Sequence, residues 1–155
     1  YRSACGAFEE VWSLPHSPAL FSNENFEGKE QYGMNEKGKK GEFLAARYLE
    51  EKGYSVIARN YHSRYGEIDL ICQKDSFLIF VEVKERKTSS FVSPLEAVTV
   101  KKQEKMILTA QQYMMKENVP SCLQPRFDVV AVLESGKEQY SFCHIENAFG
   151  KGGWR

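Results

Sequence analysis

The sequence predicts an α/β domain in which two helices pack against a central β-sheet. Residues 36–51 and 95–117 carry apolar side chains at helical spacing, which indicates two amphipathic helices. Between them, residues 67–72 and 77–84 are rich in β-branched and aromatic side chains and flank a turn-like tetrapeptide, so they predict a β-hairpin. Two further strand-like runs follow the second helix. Helices that alternate with strands in this way favour an α/β fold.

The first helix is predicted over residues 36–51 and ends before Gly53, which is a stop signal ahead of the next strand. Its apolar residues are Phe43, Leu44, Ala46, Tyr48 and Leu49. Glu42 lies near the start of this helix, where the helix dipole favours an acidic side chain. The same position could also supply a ligand to a metal ion or to water, and the sequence leaves both interpretations open.

Charged side chains collect at one end of the predicted hairpin. Successive side chains of a strand point to opposite faces, so Glu67 and Asp69 share one face of the first strand. Glu82 and Lys84 likewise share one face of the second strand. The two pairs meet only if the strands pair in a suitable register.

A two-residue turn at positions 75–76 would provide that register. It would pair Lys74 with Phe77 and thereby place Asp69 directly opposite Glu82, with their Cβ atoms ~5 Å apart. A slip of one residue would instead move Asp69 to the other face of the sheet. The hypothesis of a shared site is therefore also a prediction of register.

The second hairpin strand is apolar on both faces until its carboxyl end, which is typical of a central buried strand. Two carboxylates side by side at such an end repel each other and are poorly solvated, and a divalent cation would relieve both effects. Mg²⁺ binds oxygen ligands and retains several waters, so Asp69 and Glu82 are the predicted direct ligands. Lys84 is predicted to orient the attacking water or to stabilise the transition state. Each tripeptide alone is also an ordinary pattern, Glu-x-Lys as a surface salt bridge and Glu-x-Asp at a strand end.

Six short motifs follow one another between residues 36 and 149. They are Lys37-Gly38-x-x-Gly41-Glu42, Gly66-Glu67-Ile68-Asp69-Leu70, Phe80-Val81-Glu82-Val83-Lys84, Pro94-x-Glu96-Ala97-Val98, Arg126-Phe127-Asp128-Val129-Val130 and His144-Ile145-x-Asn147-Ala148-Phe149. In this order they resemble the YraN-like uncharacterised protein family, and a match in several parts is far more specific than any single motif. That family resembles the PD-(D/E)XK nuclease superfamily and, within it, the archaeal Holliday junction resolvases.

The resemblance implies a restriction-endonuclease-like fold, which has an αβββαβ core and a mixed central sheet flanked by helices. It implies that the superfamily's active-site positions are occupied by Glu42, Asp69, Glu82 and Lys84. A further catalytic-site residue is implied on the second helix, either Gln103 or a lysine beside it. The implied cofactor is Mg²⁺ or Mn²⁺, bound by Asp69, Glu82 and Glu42.

Length and composition indicate one compact domain, because 155 residues with 42% hydrophobic content can bury a sizeable core. We expect this domain to span residues 34–155, since Met34 directly precedes the first motif. Residues 1–33 show no sustained periodicity and are interpreted as an extension, a segment foreign to the natural protein, or an ordered arm. No apolar run approaches a membrane span and no secretory leader opens the chain, so we expect no membrane partner.

The second helix is predicted to begin directly after Pro94, and strands over residues 126–133 and 139–146 are predicted to follow it. Asp128 alternates with apolar residues in the first of these strands, which favours a structural hydrogen-bonding role over a ligand role. His144 is likewise expected to be packed or hydrogen-bonded rather than catalytic.

The four cysteines favour a reducing compartment. Cys5, Cys72, Cys122 and Cys143 are widely spaced and form no C-x-x-C pair. Two of them fall in predicted strands, where free thiols behave as small buried hydrophobic groups. We therefore expect a cytoplasmic protein without a zinc site.

Charge is distributed unevenly along the chain, although the formal net charge is zero. Residues 1–33 hold two basic and five acidic side chains, a net charge of −3, so the rest of the chain carries +3. Basic residues cluster near the predicted site, and those predicted to contact nucleic-acid phosphates are Lys39, Lys40, Arg86, Lys87 and Lys102. An ordinary solvated surface would also account for each cluster.

These observations favour a divalent-metal-dependent nuclease that hydrolyses phosphodiester bonds of DNA, including branched DNA in repair or recombination. The first alternative is a non-catalytic accessory protein that binds nucleic acid with the same fold, because fold does not imply activity. The second is an interaction protein without a nucleic-acid role, which the zero net charge favours. A homodimer is compatible with each of these hypotheses.

Overall fold

The computed structural model describes residues 9–13, 36–87 and 98–150, and over these ranges the chain forms a sheet covered by two helices. The elements in chain order are β1 (Glu9–Ser13), α1 (Glu36–Glu51), β2 (Ser55–His62), β3 (Glu67–Lys74), β4 (Phe77–Lys87), α2 (Val100–Lys116), β5 (Gln124–Gly136) and β6 (Gln139–Phe149). Neither helix is long and apolar enough to cross a membrane, as far as the described residues extend.

The sheet is mixed, as the family resemblance implies, and its strand order is β1-β6-β5-β4-β3-β2. Strands β2, β3 and β4 form an antiparallel meander. Strand β5 then pairs parallel to β4, and α2 lies in the connection between them. A parallel neighbour requires such a long crossover, which explains why a helix separates these two strands. Strand β1 pairs antiparallel with β6 at the edge, so part of the predicted extension 1–33 joins the sheet.

Two hydrophobic clusters fill the two sides of the sheet because side chains alternate along its central strands. The cluster on the α1 side includes Leu44, Leu49, Leu70, Cys72, Ile79, Val81, Val130 and Val132. The cluster on the α2 side includes Ile71, Leu78, Phe80, Met106, Ala110, Phe127 and Val129. Strand β4 is therefore buried on both faces, which confirms that it is a central strand.

The hairpin between β3 and β4 has the predicted register. Lys74 pairs with Phe77, and the ladder continues to Leu70 opposite Val81. Asp75 adopts a positive φ of 52° in the connecting turn, a conformation that Asp tolerates better than most residues. A turn of this length sets the pairing of every residue that follows.

The start of the second helix differs from the prediction. The helix begins at Val100 rather than at residue 95, and Pro94 lies outside the described residues. Thr99 caps the helix in an extended conformation, and its side chain accepts a hydrogen bond of 3.2 Å from the backbone N–H of Lys102. This cap satisfies an N–H group that has no partner within the helix, which explains why the helix begins here.

Candidate metal and nucleic-acid site

The two strand carboxylates lie one step beyond the last backbone pair between β3 and β4. In the observed register that step places Asp69 opposite Glu82, on the face covered by α2. Both side chains are buried, with 8% and 3% of the residue surface exposed. The Asp69 carboxylate accepts a hydrogen bond of 2.8 Å from the backbone N–H of Val83. The Asp69 side chain therefore satisfies a backbone donor of β4 at the point where the ladder stops.

Glu82 has an ammonium group near each of its carboxylate oxygens. Lys84 Nζ lies 3.0 Å from Glu82 Oε1, and Lys102 Nζ lies 3.4 Å from Glu82 Oε2. Lys84 comes from the same face of β4, two residues further on, and Lys102 comes from the first turn of α2. Glu82 Oε2 is buried. Its contact with Lys102 is an ion pair without hydrogen-bond geometry, so this oxygen accepts no hydrogen bond.

Asp69 is in an electrostatically unfavourable position. Burial and then the negative charge of Glu82 raise the pKa of Asp69 to about 7. The charge of Glu42 also raises this pKa, whereas the hydrogen bond from Val83 and the charge of Lys102 lower it. An ionised Asp69 is thus stabilised less than an ordinary aspartate, and a bound cation would favour the ionised form.

Glu42 reaches the same end of the sheet from α1. Burial is the main cause that raises the pKa of Glu42, and the charges of Glu67 and Glu82 raise it further. A hydrogen bond from the Asn60 side chain acts in the opposite direction. The charges of Glu42, Asp69 and Glu82 therefore act on one another at this end of the sheet. Asn60 was not singled out by the sequence, since nothing in its local pattern marks it as a partner of α1.

The second helix presents Lys102 to the carboxylates, while Gln103 makes a local contact. The Gln103 side-chain amide donates a hydrogen bond of 3.0 Å to the backbone carbonyl of Val98. Of the two options that the resemblance leaves on this helix, the lysine is the one that touches Glu82. The sequence named Lys102 as a nucleic-acid contact and left open which lysine beside Gln103 joins the site. The signal that could have decided this is Thr99, three residues before Lys102, which is a common N-cap spacing.

The remaining predicted basic contacts lie on both sides of the sheet. Lys39 is exposed at the start of α1, and its charge acts on Glu42. Lys40 lies on the α1 side with its Nζ 5.1 Å from the centre of the Tyr140 ring. Arg86 donates a hydrogen bond of 2.8 Å to the backbone carbonyl of Glu85, and Lys87 is exposed at the end of β4. Lys102 is the member of this predicted group that pairs with Glu82.

The carboxylates fit a divalent cation as a pair of ligands. The observation in favour is that buried Glu82 Oε2 accepts no hydrogen bond and Asp69 lies beside it. Carboxylate oxygens are the ligands that Mg²⁺ and Mn²⁺ prefer, and one or two of them complete a site together with waters and phosphate oxygens. Among residues 9–13, 36–87 and 98–150, no three His, Cys, Asp or Glu side chains are grouped closely enough to hold a metal by themselves.

A family model described as Uncharacterised protein family UPF0102 matches residues 41–132, which is more than half of the chain. This chain belongs to that family. The matched region contains Glu42 on α1, the strand residues Asp69, Glu82 and Lys84, and Lys102 on α2. The family resemblance that the sequence motifs predict is therefore confirmed.

Curated relatives carry the same family description. A UPF0102 protein of Syntrophomonas wolfei is 47% identical over 110 residues, which are 70% of this chain and 93% of that protein. One from Sulfurihydrogenibium sp. is 46% identical over 114 residues, or 74% and 94% of the two chains. One from Legionella pneumophila is 40% identical over 117 residues, or 76% and 97%. These names assign no activity to the family members.

A second polar cluster lies on the opposite, α1 side of the sheet. Asp128 is fully buried and accepts two hydrogen bonds from Arg126, of 2.9 and 2.7 Å, and one of 3.0 Å from the backbone N–H of Asn147. His144 Nε2 lies 2.7 Å from the same carboxylate, and Arg126 also donates to the Tyr54 hydroxyl. Burial raises the pKa of Asp128, but the hydrogen bonds outweigh this and lower it overall. Asp128 and His144 are thus hydrogen-bonded to each other, as the sequence predicts for their structural role.

The loop between β2 and β3 is fastened to α2. Ser63 Oγ and Thr109 Oγ1 lie 2.8 Å apart, and Thr109 is fully buried. Gly66, with a φ of 159°, brings the backbone close to the Lys105 side chain, since an added Cβ would lie 3.4 Å from its Cβ. This contact joins the start of β3, which carries Asp69, to the helix that carries Lys102.

Proposed function

We propose that this protein is a divalent-metal-dependent nuclease that hydrolyses phosphodiester bonds of DNA, with branched DNA in repair or recombination as a candidate substrate. The observation that supports the proposal most directly is the pairing of two buried carboxylates, Asp69 and Glu82, with Lys84 3.0 Å from one of them. The family's resemblance to metal-dependent nucleases supports the same conclusion.

In this proposal, Asp69 and Glu82 hold the cation, and Glu42 contributes a further metal or water ligand from α1. When bound, Mg²⁺ or Mn²⁺ lowers the pKa of a coordinated water and offsets the charge that builds on the phosphate. The ammonium group of Lys84 donates a hydrogen bond to the attacking water or to a phosphate oxygen. Burial of the carboxylates excludes competing solvent, which strengthens each of these interactions.

A non-catalytic nucleic-acid-binding accessory protein is the second candidate. The observation that favours it is the pair of lysines on Glu82, because two ammonium groups neutralise this carboxylate without a metal. Under this hypothesis Lys84 and Lys102 contribute to binding phosphates, and the site carboxylates only hold the lysines in place.

A cleavage panel separates the two candidates. Purified protein is incubated with Mg²⁺ or Mn²⁺ and with linear, flapped and four-way DNA and with RNA. We expect cleavage by the wild type, a loss of about 10²-fold in the Lys84→Ala variant, and loss of both metal binding and cleavage in Glu82→Gln. Lys116→Ala is the matched control, because Lys116 is exposed in the last turn of α2, about 20 Å along the helix from Lys102.

The result that would support the accessory hypothesis is intact substrate in every reaction together with a gel shift. That shift should weaken steeply as salt rises, since several phosphate contacts cost on the order of a thousandfold in affinity between 50 and 200 mM salt. Cleavage by Lys84→Ala at the wild-type rate would remove Lys84 from the proposed catalytic group.

A further inference from the structure

Two lysines share one carboxylate at the candidate site, and their contacts differ. Lys84 Nζ approaches Glu82 Oε1 to 3.0 Å, a hydrogen-bond distance. Lys102 Nζ lies 3.4 Å from Glu82 Oε2, which accepts no hydrogen bond. The two lysine side chains are exposed to a similar extent, 27% for Lys102 and 22% for Lys84, so the longer contact without a hydrogen bond is what distinguishes Lys102. Lys102 is therefore the more weakly held of the two cations.

The backbone of Lys102 is fixed although its ammonium group is loosely held. The Thr99 side chain accepts the N–H of Lys102 and so orients the first turn of α2. The lysine side chain has four rotatable bonds beyond this anchor and can move its charge by several ångströms at little cost. Asp69, by contrast, has no salt bridge with any residue that the structure describes, although the charge of Lys102 acts on it.

A divalent cation bound by Asp69 and Glu82 would need the oxygen that Lys102 now faces. An ammonium group and a doubly charged ion beside the same oxygen repel each other, and their repulsion is strong because the site is buried. A nucleic-acid phosphate would reach the site from solvent, to which the Lys102 side chain is partly exposed.

We propose that Lys102 is an exchangeable counter-ion of Glu82. It neutralises the carboxylate in the metal-free protein, leaves it when a divalent cation binds, and then pairs with a phosphate oxygen of the nucleic acid. This inference rests on the proposed metal-dependent function and adds a way to regulate that site. Metal and nucleic acid then bind cooperatively, because the phosphate supplies the released lysine with a new partner.

Metal affinity without nucleic acid is the direct test. Mn²⁺ is titrated into the metal-free protein by calorimetry, with wild type, Lys102→Met, Lys102→Arg and Lys101→Met. We expect Lys102→Met to bind Mn²⁺ about tenfold more tightly, since a nearby positive charge is gone. Lys102→Arg keeps the charge and should bind like the wild type, as should Lys101→Met, which alters an exposed lysine on the same turn.

Nucleic-acid binding supplies the second measurement. With Mn²⁺ present, Lys102→Met should weaken binding to duplex DNA and reduce the number of released counter-ions by about one, read from the slope of affinity against salt. If Lys102 were purely structural, its replacement would not tighten metal binding and weaken DNA binding at the same time. Circular dichroism and urea unfolding of Lys102→Met establish that the variant is folded, and Lys102→Gln provides a second neutral side chain.

The outcomes distinguish this inference from the proposed function. If wild type binds Mn²⁺ and both neutral variants bind it equally or more weakly, the exchange is refuted and the metal-dependent function stands. If neither wild type nor the neutral variants bind Mn²⁺ at millimolar concentration, the metal-dependent function fails and the exchange fails with it. Mn²⁺ binding by the neutral variants alone would support the exchange, because it would show that Lys102 blocks the site.

Discussion

The position of Asp69 makes a prediction about stability that requires no substrate. Asp69→Asn keeps an oxygen that can accept the Val83 N–H but removes a carboxylate whose negative charge is unfavourable beside Glu82. Burial and the Glu82 charge raise the pKa of Asp69 from 3.8 to about 7 in the folded protein. The difference is about three pKa units, and each unit corresponds to about 1.4 kcal/mol, so ionisation lowers the free energy of unfolding by at most about 4 kcal/mol.

The sign follows from the direction of the shift. A carboxyl group whose pKa is higher in the folded state contributes stability that is fully present below its unfolded pKa. For Asp69 this contribution is lost as the pH rises from about 4 to 7, and little changes above that range. The metal-free wild type should therefore become less stable relative to Asp69→Asn across this interval.

Urea unfolding in the presence of a chelator measures the effect. At pH 8 we expect Asp69→Asn to be more stable than the wild type by about 2–4 kcal/mol, and at pH 4 the difference should be small. Asp75→Asn is the matched control, because it makes the same chemical change on an exposed residue of the same hairpin. Equal unfolding free energies of wild type and Asp69→Asn at pH 8 would refute the argument that Asp69 is buried beside a like charge.

Two further predictions concern the framework around the site. Asp128→Ala should lower the free energy of unfolding by about 3–5 kcal/mol at neutral pH, because it leaves the largely enclosed side chains of Arg126 and His144 without their shared carboxylate. In the wild type this contribution should be lost in acid as the pH falls below 3.8 through the lowered pKa of Asp128, which unfolding titrations would detect. Gly41→Ala should destabilise by about 1–3 kcal/mol, although Ala normally favours a helix, because its Cβ would lie 2.8 Å from Glu85 Oε2 and 3.2 Å from Glu85 Cβ. A higher urea midpoint for Gly41→Ala would show that α1 does not pack closely against β4.

Strand periodicity made the centre of the site predictable. In a hairpin, the length of the turn sets the pairing of all later residues, and the alternation of faces then assigns each side chain to a side. The two-residue turn after Lys74 therefore sufficed to place Asp69 and Glu82 together before the fold was known. The apolar run of β4 likewise indicated a central strand, since only burial on both faces favours such a composition.

The helical contribution could not be predicted with the same accuracy. Each step along a helix rotates the side chain by about 100°, so a small error in where α2 begins changes which residue faces the sheet. Thr99 decides the matter by capping α2 at Val100, and the packing of Met106 and Ala110 against the sheet then directs Lys102 toward Glu82. Gln103, one residue further, turns to the carbonyl of Val98 instead.

Sequence alone determined which residues have the chemistry for the site. It also determined that Asp69 and Glu82 share a face of the sheet, because the pairing of neighbouring strands depends on local geometry. The tertiary structure decided which distant segments of the chain complete the site. Glu42 approaches from α1, and Lys102 approaches from α2, because each helix packs on its own side of the sheet. The cluster of Arg126, Asp128 and His144 likewise forms only when β5 and β6 pair. No local pattern encodes these contacts, since they depend on the packing of the whole core.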